Sequence, residues 1–223
     1  MNFLDLKIRA TQLAKKSGYD DVQPQPDWTK LVNRALYLFS WAAEYQYGSY
    51  TFVTVIGQAE YNLPTPSDWI RVTDVAYNTT SNLTLTDETL LRRQNPLWHI
   101  APNNTPENYF ISNPNTLRLY PVPAVAGITV NVRGIKTDTA LVLDTDVPDC
   151  PDPFHEGICL LAAWLHAKSF AKAEDAAMIQ AYHTEAMDYA GKCQLYLAQQ
   201  STPVLQRYVR RSLPERMSLG WSR

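Results

Sequence analysis

The spacing of apolar residues changes twice along this chain, and that double change limits the fold more than any other feature. Phe3, Leu6, Ala10, Leu13 and Ala14 recur at helical spacing, with Lys7, Lys15 and Lys16 off that face, which predicts a helix over 3–16. Gly18 and the Pro24/Pro26 pair interrupt it. Asp27 then suits the N-cap of a second helix running to about Glu44. Leu31, Val32, Ala35, Leu36, Leu38, Phe39, Trp41 and Ala42 make that helix apolar almost all round. Such a helix is expected to be covered on several sides, by the rest of the domain or by a neighbouring subunit.

From Ser49 the period becomes two. Tyr50, Phe52, Val53 and Val55, the Gly57-Gln58 pair and a short strand through Tyr61 predict a hairpin. Trp69–Tyr77 alternates as a strand, with Ile70, Val72 and Asp74 on one side. Thr86 is a candidate cap for a short helix that ends before Pro96. Asn108 to Tyr120 predicts a second hairpin about Asn113-Pro114-Asn115, and Ile128 to Arg133 one more strand. After the proline-rich stretch from Val147 to Pro153 the helical period returns. Asp152 as N-cap and Pro153 at the first helical position open a helix to about Ala171, followed by another from about Glu174 to Gln199.

The expected class is therefore α+β: a helical bundle from the N- and C-terminal helices, an inserted antiparallel β module and an extended C-terminal tail. The expected parts are residues 1–48, 49–146, 147–200 and 201–223, the first three forming one domain. At 223 residues the chain is long enough to bury a substantial core.

Function classes narrow by elimination. Three cysteines without a C-x-x-C pair do not form a disulfide framework or a cysteine zinc cluster. The first ten residues, with Asp5, Lys7 and Arg9, lack the apolar region of a signal peptide, and the chain reads as intracellular. Its longest apolar run, Ile158 to Leu165, falls short of the roughly 20 residues of a membrane span. His155, Glu156 and Cys159 share a helix face, with His166 further along. The metalloprotease spacing asks for a histidine where Cys159 stands, so core packing is the favoured reading and no metal or cofactor is expected. Glu60, Asp68, Asp74, Glu107, Asp144 and Asp146 could supply a glycosidase pair, but carboxylates of this kind are mostly solvated caps and loops. No nucleophile elbow, P-loop or dinucleotide fingerprint occurs, and only eight glycines are present. His99 and His183 read as surface or packing residues. The expectation is a protein that binds other proteins and is not an enzyme.

The last 23 residues differ in kind. Five arginines (207, 210, 211, 216, 223) against Glu215 give +4, leaving −6 on the rest of a chain whose total is −2. Leu205, Tyr208, Val209 and Leu213 fall at helical spacing while Arg207, Arg210 and Arg211 project from other faces. These seven are the candidate partner-binding residues, in a segment that orders against a partner. A solvated basic tail and an arm that neutralises phosphates are the competing readings.

Several stretches, in serial order, resemble the head-to-tail adaptor (connector) proteins of tailed bacteriophages. They are Tyr61-Asn-Leu-Pro continuing to Asp68-Trp-Ile-Arg-Val-Thr-Asp-Val-Ala-Tyr77; Leu91-Arg-Arg-Gln-Asn-Pro-Leu-Trp98; Pro106-Glu-Asn-Tyr-Phe110 with Asn115-Thr-Leu-Arg-Leu-Tyr-Pro121; Val132-Arg-Gly-Ile135; and Asp144-Thr-Asp-Val-Pro148 leading to Phe154-His-Glu156. The resemblance spans roughly residues 27–200, and the extra Thr65-Pro66 is a small departure. It implies a structural virion protein in the neck between capsid and tail, made in the host cytoplasm. It implies a ring, a dodecamer, that joins the portal to a tail or nozzle protein, with DNA passing through without sequence-specific binding and no membrane contact. The tail residues would dock on the portal. A neck-associated peptidoglycan hydrolase and a DNA-binding module are the alternatives.

Overall fold

The computed structural model describes residues 1–16, 26–63, 69–78, 81–98, 103–113, 115–170 and 176–200. The chain divides into a helical unit, Met1–Tyr45 with Ala140–Arg223, and a β unit, Gln46–Thr139. The α+β class and the insertion of strands between helices are as the sequence implies.

In the helical unit α1 (Phe3–Lys16) buries Phe3, Leu6, Ala10, Leu13 and Ala14, the face expected from spacing. α2 (Trp28–Ala43) starts at Asp27, whose carboxylate accepts the Lys30 N–H at 3.2 Å. It stops at Glu44, a left-handed residue (φ 47°) whose N–H donates to the Ser40 carbonyl. One face of α2 is buried through Val32, Ala35, Leu36, Phe39 and Ala43, while Tyr37 and Trp41 stay exposed within the chain. A 3-10 turn, Asp152–Phe154, leads into α4 (His155–Phe170), and α5 (Ala176–Gln200) follows. Asp152 does not cap this start. The N-cap position falls to Pro151, and the Asp152 carboxylate lies 3.2 Å from the Met1 amino group and 3.3 Å from His155 Nδ1.

α4 packs against α1, α2 and α5, which explains why it is apolar on every side; Ile158, Cys159, Leu160, Leu161, Ala162 and Ala163 are all buried. Gly157 sits where a side chain cannot. A Cβ there would meet Phe39 Cε2 at 2.6 Å and Tyr189 Cβ at 2.8 Å. Residues 140–147 belong with the helices because their polar groups are used there. Asn33 exchanges two hydrogen bonds with the Leu141 backbone, at 2.8 and 2.9 Å. The Phe3 and Leu4 N–H groups, unpartnered inside α1, donate to the carbonyls of Asp146 and Asp144.

The β unit holds two four-stranded sheets. The first has order β1-β8-β3-β4, from Gln46–Val53, Thr129–Lys136, Trp69–Tyr77 and Ser81–Asn82. The second has order β2-β7-β6-β5, from Glu60–Asn62, Thr116–Tyr120, Asn108–Asn113 and Thr84–Leu85. All pairs are antiparallel except the two-residue β5 beside β6. Tyr61, Tyr109, Leu117 and Leu119 of one sheet and Trp69, Val75, Tyr77, Val130 and Val132 of the other share a core.

The hairpin expected from Tyr50 to Tyr61 does not form. β1 pairs along its whole length with β8, and β2 joins the other sheet against β7. The chain turns at Gly57 (φ +76°) to change sheets, not to fold back. The hairpin of β6 and β7 is present. On β3, register shifts at Trp69/Arg71 and Val72/Asp74 interrupt the expected alternation, so Val72 and Val75 both reach the core side. The helix after β5, α3 (Glu88–Gln94), is capped by Asp87 and not Thr86. Asp87 accepts from the Thr89 N–H and hydroxyl at 2.6 and 2.7 Å, whereas the Thr86 N–H is engaged with the Tyr109 carbonyl.

Candidate interaction surfaces

The residues the sequence assigns to partner binding, Leu205, Arg207, Tyr208, Val209, Arg210, Arg211 and Leu213, lie outside the described residues, as does His99. What the structure places is the chemistry of the folded body and the apolar surface it leaves open.

The candidate metal face is dispersed into other bonds. Glu156 holds Arg9 through three contacts of 2.6 to 3.1 Å, and that pairing raises the Arg9 pKa. His155 Nε2 lies 2.7 Å from the Cys150 carbonyl, and its Nδ1 lies 2.8 Å from the Met1 amino group. The Cys159 thiol faces the Leu6 carbonyl at 3.8 Å, and burial pushes its pKa to about 12. His166 stacks on Trp28, ring centroids 5.2 Å apart. Among the described residues no three His, Cys, Asp or Glu side chains gather as a metal site. Three of the candidate carboxylates are similarly spent on structure. Glu60 pairs with Arg118 at 3.4 Å, Asp144 with Lys7, and Asp146 accepts the N–H groups of Val142 and Leu143 at 2.8 Å each. Asp68 is outside the described residues.

Burial lowers the pKa of both His155 and His166; at His155 the neighbouring amino group lowers it further, while the Cys150 hydrogen bond and Asp152 oppose. The unfolded chain therefore takes up these protons first. Stability is full above the ordinary histidine value of about 6.5 and declines as pH falls below it, by up to about 1.4 kcal/mol per pH unit for each ring. Thermal melts followed by helix circular dichroism should show a falling Tm from pH 7 to pH 5, and His166→Leu should flatten that slope. A Tm that is level or rising over this interval contradicts the assignment.

Exposed apolar side chains occur in both units. In the helical unit several are mixed with charge: Leu4 and Ile8 lie on α1 beside Asp5, Lys7 and Arg9, and Val142, Leu143 and Val147 alternate with Asp144 and Asp146; Tyr37 and Trp41 of α2, ring centroids 6.3 Å apart, and Leu195 and Tyr196 of α5 are exposed as well. Leu85, Leu90, Leu97 and Ile111 of the β unit are mixed with Asp87, Glu88, Arg92 and Arg93. A shallow pocket at that place is lined by Leu85 to Leu90 and by Phe110, Ile111 and Ser112.

One region differs. Residues 46–59 and 119–132 contain no Asp, Glu, Lys or Arg, in a chain that is 19% charged. The fold joins them, because β1 pairs with β8 from Gln46↔Lys136 to Val53↔Thr129 and the turns beyond these strands are tied together. Thr54, buried, is the tie. Its N–H donates to the Ile128 carbonyl, its hydroxyl donates to the Val125 carbonyl and accepts the Ile128 N–H, and its carbonyl accepts the Gly127 N–H. The Tyr61 hydroxyl accepts the Val55 N–H at 3.1 Å and donates to the Gln58 carbonyl at 3.0 Å. Val53, Val55, Ile56 and Val125 remain about half exposed on this braced end. Sequence reasoning from candidate chemistry passes over this region, although the lack of charge is its signal.

No helix among the described residues is long and apolar enough to cross a membrane. No curated protein matches the chain. The family described as SU10 adaptor protein matches residues 1–211, nearly the whole sequence, including the helices, the inserted strands and part of the basic tail. The chain belongs to the SU10 adaptor protein family of phage head-to-tail adaptors.

Proposed function

We propose that this chain is a structural protein of the phage neck, forming a ring of twelve copies that joins the portal to a tail or nozzle protein and continues the DNA channel. The observation that carries the reading is the family match over residues 1–211. A closed ring needs a heterologous contact, one patch meeting a different patch on the next copy. The charge distribution suits the role. A body of net −6 lets DNA slide past without gripping its phosphates, and a tail of +4 is set apart from it. Leu205, Tyr208, Val209 and Leu213 supply apolar anchors and Arg207, Arg210 and Arg211 the charge for docking on the portal. The protein is made in the host cytoplasm and retained in the virion, where it serves head completion, DNA retention and ejection without catalysis.

Mass photometry of portal assemblies tests both parts. Full-length chain should add about a dozen copies per portal, and a chain ending at Gln200 should add none, because the anchor is removed while the body is intact. Equal recruitment of the two chains removes the anchor role. Failure of both to bind removes the adaptor reading, and a glycan-cleavage assay then becomes the relevant measurement.

A further inference from the structure

We infer that the uncharged end of the β unit, the open edge of β1 with the Thr54-braced turns, is the docking surface for the tail-side protein, which adds an extended uncharged segment to β1. This rests on the adaptor reading.

The sheet edges support it first. Among the described residues, β4 and β5 have two residues and β2 has three, too short to accept a strand, and the part of β3 that β4 does not cover carries Arg71, Asp74 and two register shifts. β1 offers seven in a row, residues 47–53, with no strand on its outer side among the described residues. Natural proteins protect a long edge with lysine, proline, a bulge or a covering element, because its free N–H and C=O groups template pairing with another chain. β1 has no charge and no proline, and its pairing with β8 runs without a register shift. An edge left in this state is suited to strand addition, in which backbone bonds give affinity and alternate side chains give selectivity.

The surface around the edge indicates what kind of partner fits. Tyr47, Val53, Val55, Ile56 and Val125 are 48–59% exposed, and the 28 residues of the two joined stretches carry no charge. Depletion of charge with exposed aromatic and aliphatic groups marks the centre of a protein interface. It offers nothing to phosphate, so nucleic acid and anionic headgroups are poor occupants. A second copy is the competing occupant, because a ring contact joins one patch to a different patch on the next copy and Tyr37 and Trp41 of α2 and Leu195 and Tyr196 of α5 are also exposed; the test below separates the two. The basic segment 201–223 is the reverse in chemistry, which separates the portal-facing element from this one. The Thr54 and Tyr61 bonds hold the turns in place before binding, so little ordering cost is added on docking.

The test replaces Val53 and Ile56, 57% and 59% exposed, with lysine in the full chain and supplies it to the phage that encodes it, deprived of its own copy. Unchanged thermal melting checks that the fold is intact. Purified heads are analysed for the adaptor by mass spectrometry and for tails by electron microscopy. The expected result is heads that carry the V53K/I56K chain at the wild-type level, with tailed particles reduced about tenfold or more. Tailed particles at the wild-type frequency overturn the inference, whether or not infectivity falls at a later membrane step. Heads that lack the substituted chain overturn it also, assigning the surface to the portal or ring contact. So does a dimer of the pure wild-type protein that the substitutions dissociate. If the wild-type chain itself is missing from heads, the adaptor reading fails as a whole, an outcome visible before any variant is compared.

Discussion

Phe39→Ala should lower the stability of the helical unit by about 3–5 kcal/mol, the range for truncating a fully buried aromatic side chain. Phe39 is 0% exposed and lies over the bare backbone of Gly157, near the Tyr45 ring. The upper part of the range is expected because the gap cannot be closed from the other side. Gly157 has no side chain to move into it, and Tyr45 is held by a 2.9 Å hydrogen bond between its hydroxyl and Ser40. Urea denaturation followed by helix circular dichroism measures the effect, and hydrogen exchange of α2 and α4 localises it. A loss below 1 kcal/mol would mean that this contact is not the tight one described.

Gly134→Val should cost the β unit about 3 kcal/mol, at or beyond the top of the usual overpacking range. Gly134 is on β8 opposite Val72, and a Cβ there would collide with the Trp69 ring and the Arg71 carbonyl oxygen. One obstacle is backbone and cannot rotate away. The other is a ring that is 9% exposed and covered by Lys136, whose Nζ is 5.7 Å from the ring centroid. The two register shifts on β3 flank this crossing, so the strand is already deformed to seat the tryptophan. Tryptophan fluorescence during denaturation, with Trp69→Phe as reference, is the measurement. Gly134→Val in a Trp69→Ala background should cost less than in the wild type, since one of its two collisions is gone; equal costs would refute the contact.

These two positions also show how the sequence signals the fold and where it falls silent. The helices were legible because their signals are local. α1 occupies Phe3–Lys16 as its apolar face predicts, and Asp27 caps α2 through a bond that reaches only three residues. The failures involve partners distant in sequence. The β1 strand has hairpin chemistry after it in Gly57-Gln58, yet Val53 pairs with Thr129. No turn signal marks such a pairing, because it is decided by which face the whole sheet buries. Asp152 has the residue type and position of an N-cap, but the Met1 amino group and His155 compete for its carboxylate. Thr86 loses the cap of α3 because its own backbone is drawn into the sheet edge at Tyr109. Of the proposed interaction surfaces, the basic tail is read from charge and spacing alone and lies outside the described residues. The uncharged end of the β unit was not legible, since its two stretches are separated by 59 residues and become one surface only through the β1–β8 ladder.

That same ladder governs how the insert is threaded. The strand on which the chain enters the β unit and the strand on which it leaves are antiparallel neighbours, with Gln46 opposite Lys136. Entry and exit are therefore about 5 Å apart, the spacing of adjacent strands. A host protein interrupted by such an insert spends almost no loop entropy on it, because the visitor closes its own ends. The β unit can lengthen, shorten or change its turns over evolutionary time while the helices see the same two fixed points, which makes it a replaceable tool head on a constant handle.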